Sequence, residues 1–176
     1  MAAIRPATAA DAPGIARVHV DTWRSTYEGI VPQAFLDSLD LDARAKQWEE
    51  WLVREGVHVF VAEVAGGVCG FISGGTLHDG VHVAALNYDS EVYTLYVLAT
   101  AQGRGAGREL MRALAHRLLQ DGLMRPVVWA LEENPWCGFY ERLGGKRVAQ
   151  KTIEIGGAEL SDVAYGWEEI GTLLHR

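Results

Sequence analysis

Cysteine is scarce in this sequence, with only Cys69 and Cys137 among 176 residues. These two positions do not form the spacing of a metal-binding motif. Cys69 lies in an apolar, strand-like run, where we expect a buried thiol. A cytoplasmic, reduced setting is therefore the default expectation.

Long apolar runs and an excess of positive charge are also missing. No apolar run reaches the roughly 18 residues that a membrane-spanning helix needs, and the first residues lack the apolar core of an export signal. The 16 Lys and Arg are outnumbered by 23 Asp and Glu, which gives a net charge of −7. Nucleic acid, which attracts Lys and Arg, is therefore not an expected partner, and neither is a membrane. An acidic surface instead attracts cationic amines.

Metal-binding patterns are absent as well. The six histidines include no H-E-x-x-H pair. His78 and His82 are four residues apart, but only Asp79 stands near them, so we expect solvated loop histidines and no metal.

The order of predicted elements is that of one α/β domain over residues 1–176. The composition, 49% hydrophobic and 22% charged, is ordinary for a globular chain with a real core. Hydrophobic periodicity and turn residues predict helices over 12–27, 32–39, 42–54, 108–119 and 138–145. They predict strands over 3–5, 57–64, 68–73, 127–131, 144–155 and 158–167, and a further strand that begins at Glu91.

The most informative segment runs from Glu91 to Met111. A β-branched and aromatic run passes into the glycine-rich stretch Gln102–Gly107, and an apolar-striped helix follows. Glycines let a backbone approach a ligand closely, and the free N–H groups of the first helical turn attract an anion. The segment therefore predicts an anion cradle.

Two familiar phosphate loops do not fit this cradle. A P-loop needs Lys followed by Ser or Thr after the glycines, and none is present. A dinucleotide loop needs a third glycine where Arg108 stands. The remaining pattern, Q-x-x-G-x-G, resembles the loop of the GNAT superfamily of N-acetyltransferases; the alternative is an ordinary strand–helix connection with glycines at turn positions.

Two more segments carry the same resemblance. Asn134 followed by Phe139-Tyr140-Glu141 and Leu143-Gly144 matches a second GNAT pattern. Residues 22–32 resemble a bacterial subgroup with the pattern W-x-x-x-Y-x-G-I-x-P. The resemblance implies the GNAT fold: a central mixed, mostly antiparallel, twisted sheet of about seven strands with helices on both faces.

The resemblance also implies acetyl-CoA as the acyl donor, with its pyrophosphate on the glycine loop, and no metal. The residues that this implies for binding it are Leu95, Tyr96, Val97, Gln102, Gly103, Arg104, Gly105, Ala106, Gly107, Arg108 and Asn134.

Acetyl transfer to an amine sets three chemical demands. The amine must lose its proton, because a free alkylamine has a pKa near ~10.4; Glu91, at the start of the central strand, is the candidate base, directly or through water. Charge developing on the acetyl oxygen needs a donor, for which the resemblance offers the main-chain N–H groups of Leu95 or Val97. By the same resemblance, Tyr140 donates a proton to the leaving sulfur.

The acceptor is less defined by the sequence. Trp23 and Tyr27 are candidate substrate-binding residues, and a pocket closed by 23–32 and by the loop 77–89 favours a small-molecule amine. A flat groove favours a protein N-terminus or lysine, and a non-catalytic acyl-CoA-binding regulator is the third possibility. A homodimer is expected because Val163, Tyr165 and Trp167 alternate along the closing hairpin as an apolar face that needs cover.

Overall fold

The structure is a computed structural model that describes residues 2–78 and 87–175. The helices are α1 (Ala12–Thr26), α2 (Gln33–Asp37), α3 (Leu41–Leu52), α4 (Ala106–Gln120) and α5 (Cys137–Arg142). The strands are β1 (Ala3–Pro6), β2 (Val57–Val64), β3 (Gly67–Thr76), β4 (Ser90–Val97), β5 (Pro126–Leu131), β6 (Lys146–Ile155) and β7 (Ala158–Gly166). The predicted loop 77–89 and His82 fall largely or wholly on residues 79–86, which lie outside the described residues.

The strands form one seven-stranded sheet in the order β1-β2-β3-β4-β5-β7-β6. Neighbouring strands are antiparallel except β4 and β5, which are parallel. Helix α4 packs on one face and helices α1 and α3 pack on the other. The mixed α/β fold that the resemblance implied, with helices on both faces, is confirmed. Among the described helices, none combines the length and apolar character needed to cross a bilayer.

Two tight turns join antiparallel strands that follow each other in the chain. Ala65 and Gly66, between β2 and β3, both have positive φ, and so do Gly156 and Gly157 between β6 and β7. Two consecutive residues of positive φ make the turn type whose twist matches antiparallel strands. The tip of the β6–β7 hairpin packs on α2. Gly156 lies so close to Phe35 of α2 that a Cβ added at Gly156 would be 2.8 Å from the Cβ of Phe35.

The periodic face of α4 forms the larger core. Leu110, Leu114 and Leu118, spaced as on one helix face, are buried against the sheet. Val163 and Trp167 of the closing hairpin region are buried in the same cluster. The apolar positions that suggested a homodimer are therefore covered by the chain itself. Homodimerisation stays a prediction, without that argument behind it.

On the opposite face, His19 of α1 lies inside an aromatic cluster. The residue is 8% exposed, its ring is tilted against that of Tyr96 with centroids 5.0 Å apart, and the Trp48 indole N–H donates to its Nδ1 at 3.3 Å. Burial, with a smaller contribution from the charge of Arg44, lowers its pKa to about 3 from 6.5. The native state therefore holds this imidazole neutral at pH values where the unfolded chain would protonate it.

This burial predicts an acid-sensitive fold. Because the folded pKa lies below the unfolded one, the stabilisation is complete above pH 6.5 and is lost as the pH falls toward 3. The free energy of unfolding should fall by up to about 1.4 kcal/mol for each pH unit in this window on account of His19. Urea denaturation at pH 7 and pH 5 measures the fall. The variant His19→Asn keeps an acceptor for Trp48 but does not titrate, so it should lose less stability; an equal loss contradicts the prediction.

Candidate active site

A cavity of about 410 Å³ opens where β4 and β5 separate. The two strands pair only from Ser90 to Val92 of β4 and from Pro126 to Val128 of β5. Beyond these residues the strands diverge, and the cavity lies between them. The strand order places this opening near the middle of the sheet, with β3 on one side and β7 on the other.

The divergence leaves two main-chain donors of β4 facing the opening. The N–H of Leu98 donates to the Cys69 carbonyl on the β3 side at 2.9 Å. Because N–H groups alternate in direction along a strand, those of Leu95 and Val97 point the other way, toward β5. These are the two N–H donors that the resemblance to the GNAT superfamily suggested for the acetyl oxygen.

A β-bulge changes the direction of side chains along β4. Ser73 pairs with Thr94 and Gly74 pairs with Val92, so Tyr93 is an extra residue. A bulge interrupts the alternation of faces. As a result Tyr93 packs near Trp51 of α3, on the same side of the sheet as α1, and also lines the cavity.

The glycine loop forms the end of the cavity nearest α4. Gly103 and Gly105 have φ of +70° and +87°, a left-handed conformation that side-chain-bearing residues rarely adopt. The Gln102 side-chain amide donates to the Val97 carbonyl at 2.8 Å and fastens the loop to β4. α4 begins at Ala106, so its first N–H groups, which have no partner within the helix, lie at the cavity wall. This geometry suits the phosphates of a coenzyme.

All but one of the predicted coenzyme residues line the cavity. The exception is Arg104, which is absent from the wall. Asn134 lines it and is held by two contacts: its amide donates to the Tyr27 hydroxyl at 3.1 Å, and its Oδ1 accepts from the Trp136 main-chain N–H at 2.9 Å. Ten of the eleven candidate residues therefore surround one space, and their role in binding a coenzyme stays a prediction.

Tyr140 of α5 is buried with its hydroxyl available. It lines the cavity, and its ring packs against Phe139, Tyr165 and Trp167. Among the described residues, no side chain or main-chain group forms a hydrogen bond with its hydroxyl. Burial raises the pKa of this phenol well above its usual range. The group therefore stays a neutral donor at any working pH.

The two predicted substrate residues have different positions. Tyr27 lines the cavity, and burial raises the pKa of its phenol. Trp23 is not part of the wall; its indole N–H donates to the Tyr96 hydroxyl at 2.9 Å and so supports a residue that is. Trp23 therefore contacts the cavity wall from behind, through Tyr96 and through Tyr27, whose ring centroid is 4.9 Å away.

Sequence reasoning missed two threonines of α1. Thr22 and Thr26, four residues apart, line the cavity together with Tyr27. Thr22 is 5% exposed, and its hydroxyl has no hydrogen-bond partner in the described part of the chain. The available signal in the sequence was a hydroxyl residue on the buried, largely apolar face of α1.

Glu91 is buried beside the cavity and does not line it. Its Oε2 accepts from the main-chain N–H of His78 at 3.3 Å and lies 3.2 Å from the Nδ1 of the same residue. The carboxylate is two residues from Tyr93, which does line the wall. No group of three possible metal ligands occurs within residues 2–78 and 87–175.

Comparison with known proteins gives one consistent result. The family described as the acetyltransferase (GNAT) family matches residues 20–145. The uncharacterized N-acetyltransferase YuaI of Bacillus subtilis is 39% identical over the full length of both chains.

Solved structures agree with this match. The ribosomal-protein-alanine N-acetyltransferase of Brucella melitensis has a TM-score of 0.73 at 25% identity, covering 94% of this chain and 98% of that one. The PaiA N-acetyltransferase of Thermoplasma acidophilum, solved in complex with coenzyme A, has a TM-score of 0.70 at 16% identity, covering 93% of this chain and 98% of that one. At that identity the second likeness concerns the fold alone.

Proposed function

The chain belongs to the acetyltransferase (GNAT) family and is an N-acetyltransferase, and from this premise we propose that it transfers the acetyl group of acetyl-CoA to the primary amine of a small molecule. The observation that carries the proposal is the cavity between β4 and β5. The same cavity is lined by the glycine loop, by Tyr140 and by residues of α1. Its volume of about 410 Å³ is in the range of small-molecule sites.

The residues present fit the coenzyme. The amides that open α4, with Gly103 and Gly105 in left-handed conformation, would hold the pyrophosphate. The free N–H groups of Leu95 and Val97 would hold the acyl arm and donate to the acetyl oxygen as negative charge develops there. Bound acetyl-CoA supplies an activated acetyl carbon, and the protein supplies binding, orientation and proton transfer.

Direct attack on the thioester requires two proton transfers, one from the ammonium group and one to the departing sulfur. We assign removal of the ammonium proton to Glu91, directly or through an intermediate group, because it is the buried carboxylate next to the wall at Tyr93. We assign donation to the departing sulfur to Tyr140, whose hydroxyl is neutral and has no protein partner among the described residues. A positioned acid or base contributes about 10²–10⁴-fold.

The acceptor end favours a compact amine. Thr22, Thr26 and Tyr27 of α1 stand along this wall, and Trp129 of β5 lies on it as well. Hydroxyl and aromatic groups provide both hydrogen bonds and apolar contact for such a ligand.

A thiol-release assay with a panel of amines tests the proposal. Each small amine is paired with a peptide that carries the same amine as a lysine side chain or N-terminus. We expect kcat/KM to be higher for the small amine by about tenfold or more, equivalent to about 1.4 kcal/mol of transition-state binding. Faster reaction of the peptides would instead indicate a protein acetyltransferase. Coenzyme binding by calorimetry with no thiol release for any amine would indicate a binding module.

A further inference from the structure

We propose that the amine loses its proton to the imidazole of His78, with Glu91 holding that ring in position; this inference rests on the proposed function. Glu91 does not line the cavity, so its carboxylate needs an intermediate group to reach the amine. The structure offers His78, which contacts the carboxylate; its ring is not a lining residue either, but it packs directly on Tyr93, which does line the cavity.

The contacts between the two residues fix the imidazole. Glu91 Oε2 accepts a hydrogen bond from the main-chain N–H of His78 at 3.3 Å and lies 3.2 Å from the Nδ1 of the same residue. An ionised carboxylate can only accept hydrogen bonds, so this contact places the hydrogen on Nδ1 and leaves a lone pair on Nε2. The arrangement corresponds to the acid and the histidine of a catalytic triad, in which the acid sets the tautomer of the imidazole and stabilises the imidazolium.

Packing holds the ring from the other side. The His78 ring lies on Tyr93 with centroids 4.1 Å apart, and Trp51 of α3 is 6.0 Å away. Tyr93 is the extra residue of the β4 bulge, so the bulge provides the surface on which the imidazole rests. The Tyr93 hydroxyl donates to the Thr76 carbonyl, which secures this surface to β3.

Exposure separates the roles of the two groups. The Glu91 side chain is 11% exposed and the His78 side chain is 43% exposed. A proton on the imidazole can therefore pass to water, whereas one on the carboxylate cannot leave so easily. The step balances: the ammonium N–H bond breaks, the proton joins Nε2, the neutral amine attacks, and the imidazolium later returns the proton to solvent.

Other charged groups around the pair are few among the described residues. The guanidinium of Arg54 stands over the Trp51 ring at 5.4 Å. Asp162 of β7 lies close enough to Glu91 to feel its charge, and Lys151 of β6 is 3.7 Å from Asp162. Tyr93 is the remaining titratable neighbour, and burial is the main reason that its pKa is raised.

Kinetics of three variants test the proposal on the best amine of the panel. We expect His78→Ala to lower kcat about 10²-fold without changing acetyl-CoA affinity, and added imidazole to restore part of the rate. His78→Gln keeps a donor for Glu91 but takes no proton, so it should be as slow as His78→Ala, and the acidic limb of its kcat/KM profile should change. Glu91→Gln should be slow and not rescued by imidazole. His116→Ala, which removes an exposed histidine of α4, is the control with wild-type kinetics.

Two results would overturn the role of His78 whatever the acceptor is. Wild-type kcat in His78→Gln would show that the imidazole only anchors Glu91. Nitrogen NMR of the histidine tautomers gives a readout that needs no turnover: we expect the Nδ1–H form at His78, lost in Glu91→Gln, and an Nε2–H form in the wild type refutes the proposal. If no amine is acetylated, the proposed function fails, and the tautomer still decides whether this pair is built as described.

Discussion

Replacing Tyr140 by phenylalanine should lower kcat by about 10²-fold or more while leaving acetyl-CoA affinity nearly unchanged. The ring packs against Tyr165, Phe139 and Trp167, and phenylalanine preserves these contacts. The hydroxyl makes no hydrogen bond with the described residues, so its removal leaves no buried group without a partner. Kinetics with an identified amine measure the loss, and calorimetry measures the affinity.

The pH dependence and a matched variant sharpen this test. Burial raises the pKa of Tyr140, so the phenol remains protonated across pH 6–9 and the loss should be uniform over that range. Tyr165→Phe removes a hydroxyl from the stacked neighbour, which is outside the cavity wall, and should retain near-wild-type kcat. Wild-type turnover in Tyr140→Phe, with chemistry shown to be rate-limiting, would make Tyr140 a packing residue.

Gly105→Val should weaken acetyl-CoA binding by about tenfold or more. Gly105 is the residue before α4 and has φ of +87°, where a β-branched side chain is strained by at least about 1–2 kcal/mol. The valine variant should relax the loop away from the conformation that directs its amides into the cavity. Since about 1.4 kcal/mol is a factor of ten in affinity, titration calorimetry resolves the effect.

Crowding by protein atoms does not contribute at Gly105, because no heavy atom of the described chain lies within 4 Å of an added Cβ. Gly122→Val is the matched control: φ is +80°, the surroundings are equally open, and the site is remote from the cavity. Both variants should lose stability, but Gly122→Val should bind normally. Equal affinities of the two folded variants would contradict a phosphate role for Gly105.

The sequence predicted the elements well because their signals are local. The strand Val57–Val64 was predicted with its observed bounds. Strand β3 extends three residues beyond the predicted end at Ser73, through two glycines. Glycine is unfavourable in strands in general, and here pairing with β2 and β4 overrides that preference.

The site was only partly predictable, because several of its features depend on tertiary packing. Gln102 to Arg108 form a continuous segment with a recognisable pattern, and all of them but Arg104 line the cavity. Trp23, by contrast, was chosen for its aromatic character, but its indole N–H donates to the Tyr96 hydroxyl. The preceding residue, Thr22, lines the cavity instead. One residue along a helix changes the direction by about 100°, which periodicity alone does not fix. The contact of His78, which follows the end of β3, with Glu91 of β4 has no local signature.

The separation of β4 from β5 would also make part of the fold's stability depend on the coenzyme proposed to bind there. In most sheets each inner strand is paired along both edges, but here Leu95 and Val97 turn their N–H groups into the opening. A coenzyme lying there would take the place of a neighbouring strand and link binding to folding. At a concentration one hundred times its dissociation constant, such a ligand adds about 2.7 kcal/mol to the free energy of unfolding. Hydrogen exchange at these two amides should therefore slow with coenzyme concentration, so that the centre of the sheet would report on coenzyme supply.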